Sequence, residues 1–253
     1  MKFSIITCTY NSEKYVQKNI DSVKNQTFRD FEHIFIDGFS TDGTVEIIKR
    51  YQSEFPKRVK FFQYTPTGIS SAMNKGIKKA SGEYINHLHS DDSFYSDDVL
   101  KKVSNFLKKN DIPDLVFGKA KFTNDEGISK IIPYRRIYQK LRFWLLLLTN
   151  YVPHQACFIK KEIFERFGNF DENYKNSMDY EMWVRLAQNK ISNKFVDQII
   201  CNFHARDNSV SSKGKNNCVL ENSFILEAYE KNKLLLKLYR TILYLNSKRK
   251  FFH

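Results

Sequence analysis

Through the first 117 residues, short apolar runs alternate with helix-like stripes, and most runs break off at a polar or acidic turn. Phe3–Cys8, Phe31–Ile36, Val59–Gln63, Glu83–Leu88 and Asp114–Phe117 read as strands. Between them, Val16, Ile20 and Val23 recur at helical spacing, and so do Val45, Ile48 and Tyr51. Ile69, Ala72, Met73, Gly76, Ile77 and Ala80 form a third stripe, and Leu100, Val103 and Phe106 a fourth. Asn11 and Ser12 stand where they would cap the first helix. Strands alternating with helices predict a doubly wound, mostly parallel α/β sheet. Such sheets bind ligands beyond the carboxyl ends of their strands. Thr9–Asn11, Asp37–Asp42 and His89–Asp92 fall there.

The second half is less regular. Ala156–Ile159 is strand-like, Met178–Gln188 reads as a helix, and Phe195–Phe203 as one or two strands. A helical pattern runs from about Asn216 to the end. With 42% hydrophobic residues the chain can bury a sizeable core, which excludes global disorder. Its net charge of +13 favours anionic partners: nucleic acid, a phosphorylated substrate or an acidic membrane face. Cys8, Cys157, Cys201 and Cys218 form no CxxC pair, which leaves a zinc or thioredoxin-like site unsupported; a reduced, cytoplasmic setting fits best. Met1-Lys2 leads straight into a strand-like run, so no secretory leader is expected. No segment reaches the roughly 18 apolar residues of a membrane span.

Asp91-Asp92 is the sharpest local feature. Adjacent carboxylates repel, and a hard divalent cation relieves that repulsion while bridging to substrate phosphates. A solvated turn capping the next helix is the other reading, and the two stay open. Asp37 closes a strand where a carboxylate can hydrogen-bond a nucleoside, whereas Asp42 suits an Asx turn. Asp179 shares a helix face with Met182, Trp183 and Leu186. An inward carboxylate at a helix start suits a general base, and it can also accept free amides there. His154 and His204 are lone histidines, which are more often structural than ligands. No Walker A, GxGxxG or GxSxG sequence occurs, which weakens kinase, dehydrogenase and hydrolase readings.

These segments, in order, resemble the family-2 glycosyltransferases with a GT-A fold. The resemblance runs from about residue 2 to 211 through FSIITCTYN at 3–11, SVKNQTF at 22–28, FIDGFSTDGT at 35–44, GISSAMNKGIKKASGEYI at 68–85, HSDD at 89–92, PHQACFIKKEIFERFGNFDENY at 153–174 and MDYEMWVRL at 178–186. It implies a GT-A domain over 1–211. Residues 1–112 would be its nucleotide-sugar-binding half and 113–211 its acceptor and catalytic-base half. Thr9, Tyr10 and Asn11 match the donor-nucleotide loop, Asp37 the carboxylate on the base, and Asn74 the segment over the nucleotide. Asp91 matches a ribose contact and Asp92 a metal ligand, with magnesium or manganese as the cofactor and a UDP-sugar as the donor. Asp179 matches the catalytic base of an inverting transfer, and His204 a histidine near the phosphates or metal. The chain departs from the family at Gly38, Phe39 and Ser70-Ser71, which bears on the base and sugar contacts.

The tail, 212–253, has Leu235, Leu238, Tyr239, Ile242 and Leu245 on one face and Lys233, Lys237, Arg240 and Lys248 on another. This basic amphipathic pattern can lie on an anionic membrane, or pack on the catalytic domain or a second subunit. The first case suits a lipid-linked or glycan acceptor in bacterial surface polysaccharide or glycolipid synthesis, at the inner face of the cell membrane. A non-catalytic nucleotide-sugar-binding or scaffold protein is the alternative, against which the intact Asp179 argues. No nucleic-acid motif accompanies the charge, so no nucleic-acid partner is expected.

Overall fold

The structure is a computed structural model that describes residues 2–124, 126–133, 136–205 and 215–232, together with Leu236, Tyr239 and Thr241. Among them, nine strands form one sheet flanked by helices on both faces. The first half follows the alternation read from the sequence. It comprises β1 (Phe3–Thr9), α1 (Glu13–Lys24), β2 (Phe31–Asp37), α2 (Thr44–Glu54), β3 (Val59–Gln63), α3 (Ile69–Lys79) and β4 (Tyr84–His87). After it come β5 (Ser93–Phe94), α4 (Val99–Lys109), β6 (Leu115–Asn124) and β7 (Ser129–Ile132). The second half continues with α5 (Phe143–Leu146), β8 (Cys157–Lys160), α6 (Lys161–Phe167), α7 (Met178–Gln188), β9 (Asn193–Ala205) and α8 (Lys215–Tyr229).

The strand order is β3-β2-β1-β4-β8-β6-β9-β5, with β7 on the side of β6. β3, β2, β1 and β4 are parallel, as the alternation predicts. β8 then enters antiparallel to β4 and to β6, while β6 and β9 run parallel to each other. Alternate residues of one strand feed opposite cores, as the pleat requires. Ile34 and Ile36 of β2 join Met73 and Ile77 of α3 and Trp183 of α7. Phe35 between them meets Val16, Ile20 and Ile48 of α1 and α2. Strands covered on both faces carry few polar side chains without a purpose, so Glu32, His33 and Asp37, all buried in β2, each need partners.

Ser12 stands at the N-cap position of α1, but neither its side chain nor that of Asn11 makes a cap hydrogen bond. The Asn11 side chain instead accepts the Thr41 amide at 2.9 Å, and the Ser12 hydroxyl meets that of Ser90 at 3.1 Å. Both link one loop to another at the carboxyl end of the sheet.

α8 packs on α7 rather than standing apart. Ile225 is fully buried in the main core, and Leu226 meets Leu147 together with Leu236 and Tyr239. Leu235, Leu238, Ile242, Leu245, Lys233, Lys237, Arg240 and Lys248 of the amphipathic pattern lie outside the described residues. No helix of the described residues is long and apolar enough to cross a membrane.

Candidate active site

The β1–β2 register pairs Thr9 with Asp37, so both sit at the carboxyl edge of the sheet. Asp37 is fully buried, and its carboxylate is the hub of that edge. Oδ1 accepts the Thr9 hydroxyl at 2.9 Å and the Ser40 hydroxyl at 2.6 Å. Oδ2 accepts the Ser40 amide at 2.9 Å and the Gln63 amide side chain at 3.1 Å. Four neutral donors thus hold one charge, which is how a buried carboxylate remains tolerable without an ion pair. Beside it opens a cavity of about 240 Å³ lined by Thr9, Tyr10, Asp37, Gly38 and the segment Tyr64–Ile69. Tyr10 is exposed, and a Cβ on Gly38 would lie 3.1 Å from its ring. The slot therefore has an aromatic wall and a polar floor, as a nucleobase site needs.

Asn74 lies in α3, two residues after Ala72, which lines the slot. Its amide donates to the Phe170 carbonyl at 2.9 Å and to Glu172 at 3.0 Å, and its oxygen accepts the Phe170 amide at 3.0 Å. All of these bonds go to the loop between α6 and α7, so Asn74 acts on the site through that loop.

The acidic turn follows β4. Asp92 is 2% exposed, Asp91 is half-buried, and the Asp92 amide closes the turn on the His89 carbonyl at 3.0 Å. Asn19 of α1 holds the turn from below, donating to the carbonyls of His89 at 2.8 Å and Asp92 at 3.2 Å. Its signal in the sequence was a polar side chain inside the Val16–Ile20–Val23 stripe. His204, near the end of β9, gives its backbone amide to Asp92 Oδ1 at 3.3 Å. Its side chain lines a second cavity, about 260 Å³, with Asp91, Lys18 and Lys121. Among the described residues no three metal-ligating side chains converge. An oxygen-rich pair on one turn with a histidine beside it fits magnesium or manganese, which keep water and phosphate oxygens as their remaining ligands.

Asp179 lies in the first turn of α7, half-buried. Oδ1 accepts the Tyr180 amide at 2.7 Å and Oδ2 the Asn150 side chain at 3.4 Å. Burial pushes its carboxyl above the ordinary range, against the opposing pull of those two donors. A carboxylate whose proton affinity is raised in this way is the kind of group a general base requires. The helix is more buried than its pattern suggested. Tyr180, Glu181 and Val184 are buried along with Met182, Trp183 and Leu186, and the Glu181 carboxylate is paired there by Arg185 in a bidentate contact at 2.9 Å.

His154 joins the two carboxylate sites. Its ring stacks on His89 of the acidic turn at 5.7 Å and lies 5.9 Å from Trp183, one helical turn beyond Asp179. Burial and the nearby His87 and His89 drive its imidazole well below its usual value, so it is neutral. Spacing alone gave no sign of this placement, which depends on β8 entering beside β4.

The mostly parallel α/β sheet, with a slot beside Asp37, an acidic turn after β4 and a half-buried carboxylate at the start of α7, has the architecture of a GT-A fold. The model of the Glycosyl transferase family 2 matches residues 4–168. The chain belongs to this family and is a glycosyltransferase. An uncharacterized glycosyltransferase of Haemophilus influenzae is 39% identical over 216 residues, covering 78% of this chain and 84% of the relative. A PGL/p-HBAD biosynthesis glycosyltransferase of Mycobacterium tuberculosis is 30% identical over 189 residues, covering 74% and 70%. Among solved structures, S. aureus TarS 1-349 in complex with UDP-GlcNAc superposes with a TM-score of 0.73 at 21% identity, over 98% of this chain and 72% of that one. The mannosyltransferase PcManGT of Pyrobaculum calidifontis, in complex with GDP-Man and Mn2+, gives 0.70 at 17% identity over 97% and 70%. At these identities the solved structures establish the GT-A fold.

Proposed function

We propose that this glycosyltransferase is inverting and moves a sugar from a UDP-sugar to an acceptor hydroxyl. The observation that carries the reading is the pair of unlike carboxylate environments that His154 touches, the acidic turn through His89 and α7 through Trp183. Asp92 is nearly buried on an oxygen-rich turn, whereas Asp179 sits on an apolar helix that raises its proton affinity. Two titratable groups pushed into different environments divide into different roles.

On this reading Asp179 accepts the proton of the acceptor hydroxyl as its oxygen attacks the anomeric carbon. The bond from that carbon to the diphosphate oxygen breaks on the opposite face, so the configuration inverts. The nucleobase occupies the slot over Asp37, between Tyr10 and Tyr64–Ile69, with Thr9 and Asn11 fixing the loop that carries Tyr10. Asp92, with His204, would hold a magnesium or manganese ion, which neutralises charge on the leaving diphosphate when bound, while Asp91 meets the ribose. The neighbours crystallised with UDP-GlcNAc, or with GDP-Man and Mn2+, support a nucleotide-sugar donor and a divalent cation. The charge of +13 supports an anionic acceptor, such as a lipid-linked one in surface polysaccharide or glycolipid synthesis at a membrane face.

Donor binding and hydrolysis across UDP-glucose, UDP-GlcNAc, UDP-galactose and GDP-mannose, with manganese or EDTA, test the proposal. The expected result is one preferred donor and loss of turnover in EDTA. Folded protein that neither binds nor turns over any donor, with lipid acceptor supplied, would move the reading to a non-catalytic scaffold.

A further inference from the structure

The loop before α7 makes an unusual set of contacts with α8. Glu221 of α8 accepts the backbone amides of Lys175 at 3.1 Å, Asn176 at 2.9 Å and Ser177 at 2.8 Å, and the Asn176 side chain at 3.2 Å. The segment they belong to ends at the first turn of α7, two residues before Asp179. A carboxylate at a helix start also interacts favourably with the helix dipole. Eight residues along, Tyr229 gives its hydroxyl to Glu181 at 2.6 Å. Between the two, Ile225 is fully buried. Residues 221, 225 and 229 stand on one face of α8 by i, i+4, i+8 spacing, so the face reads as anchor, plug, anchor.

Ser177 makes no side-chain cap on α7. The backbone amides leading into this helix, 175–177, are instead bound by a carboxylate 44 residues downstream of Ser177. On the far side the same loop is pinned to α3, through Asn74 on Phe170 and the Ser70 hydroxyl on the Tyr174 carbonyl at 3.2 Å. The start of α7 is thus held between the nucleotide-side helix and the C-terminal helix.

We infer that Glu221 is a positioning residue for the catalytic base: through the amides of 175–177 it fixes the first turn of α7, and so the place of Asp179, making α8 part of the catalytic apparatus. The inference rests on Asp179 being the base. Displacing a reacting group by about 1 Å can cost on the order of 100-fold in rate. Glu221→Ala is expected to lower kcat by about 10- to 100-fold, with the donor KM and the Kd for the free nucleoside diphosphate changed less than about threefold. Glu221→Gln keeps one acceptor oxygen and should fall between, and serves as the test if the alanine variant folds poorly. Rates are referred to nucleotide-binding sites, so loss of folded protein does not count as loss of kcat. Hydrogen exchange at 175–180 should quicken in both variants. Wild-type kcat per binding site in both variants, beside an inactive Asp179→Asn control, would overturn the inference alone. A fully active Asp179→Asn would overturn the base reading and the inference with it.

Discussion

Lowering the pH from 7.5 to 5.5 is expected to remove about 4 kcal/mol of folding stability through three buried histidines. His33 is fully buried in β2, its Nε2 3.0 Å from the Thr7 hydroxyl, and burial pushes its imidazole down to about 3. His87 of β4 is likewise pushed down to about 3 by burial, and His154 well below its usual value. Each is neutral in the folded protein but takes a proton at about 6.5 once unfolded. The unfolded state thus binds more protons as the pH falls through 6.5. Stability is fully present above that value and is lost progressively below it, down toward the folded values. One unit below 6.5 the loss is about 1.4 kcal/mol per histidine, hence about 4 for three. This is a large share of the 5–15 kcal/mol typical of whole proteins. Asp179 works in the opposite sense, because burial raises its carboxyl and folding favours its protonation; its offset grows toward the acid end. Urea unfolding at pH 7.5, 6.5 and 5.5 measures the slope directly. The His87→Gln variant should reduce that slope by about one proton. Equal stability at pH 7.5 and 5.5, or a slope indifferent to His87→Gln, would refute the reasoning.

Four further outcomes follow from the site and core. Asp179→Asn should lower kcat by about 10²- to 10⁴-fold while nucleotide affinity, by calorimetry, stays near wild type. Asp92→Asn should abolish the tightening of nucleoside diphosphate binding by manganese, leaving the metal-free affinity in place. Asp37→Asn leaves a single acceptor oxygen where two now take four bonds, so two of the bonds from Thr9, Ser40 and Gln63 lose their acceptor; a donor KM raised by about 10- to 100-fold, roughly two hydrogen bonds, is expected in steady-state assays. Gly82→Ala would put a Cβ 2.6 Å from the Ser4 amide nitrogen and should cost about 1–3 kcal/mol in urea unfolding, with the active site unchanged.

The parallel half was legible because each of its strands is short, apolar and followed by a turn of polar residues, and because its helices show clean stripes. α7 was read at its true limits for a different reason: Met182, Trp183 and Leu186 recur at helical spacing on one face. β5 gave no signal at all, since two residues, Ser93 and Phe94, become a strand only by pairing with β9. β6 was read four residues long and is ten, because past Gly118 its exposed face carries Lys119, Lys121 and Thr123, and polar alternation there looked like a loop. Of the site, the carboxylates stood out by their position after strands. Asn150, His154 and Glu221 did not, because their roles arise from tertiary pairing with elements 29 or more residues away. Asn74 shows the opposite case, a motif residue whose bonds go to the loop beside the slot.

Asp37 and its four donors form a floor that is already set before any nucleotide arrives. The opposite wall, Tyr64–Ile69, is a loop fastened by the Tyr64 amide on the Asp37 carbonyl at 2.9 Å, and by Lys75 on the Thr65 carbonyl at 3.5 Å. Gly68 within it adopts a φ of 123° with open space around it. Floor and wall are therefore separable parts, one rigid and shared, the other exchangeable. Grafting a different five-residue wall, 64–68, between β3 and α3 would be a way to change which base or sugar is accepted, while the acidic turn and the base helix stay in register.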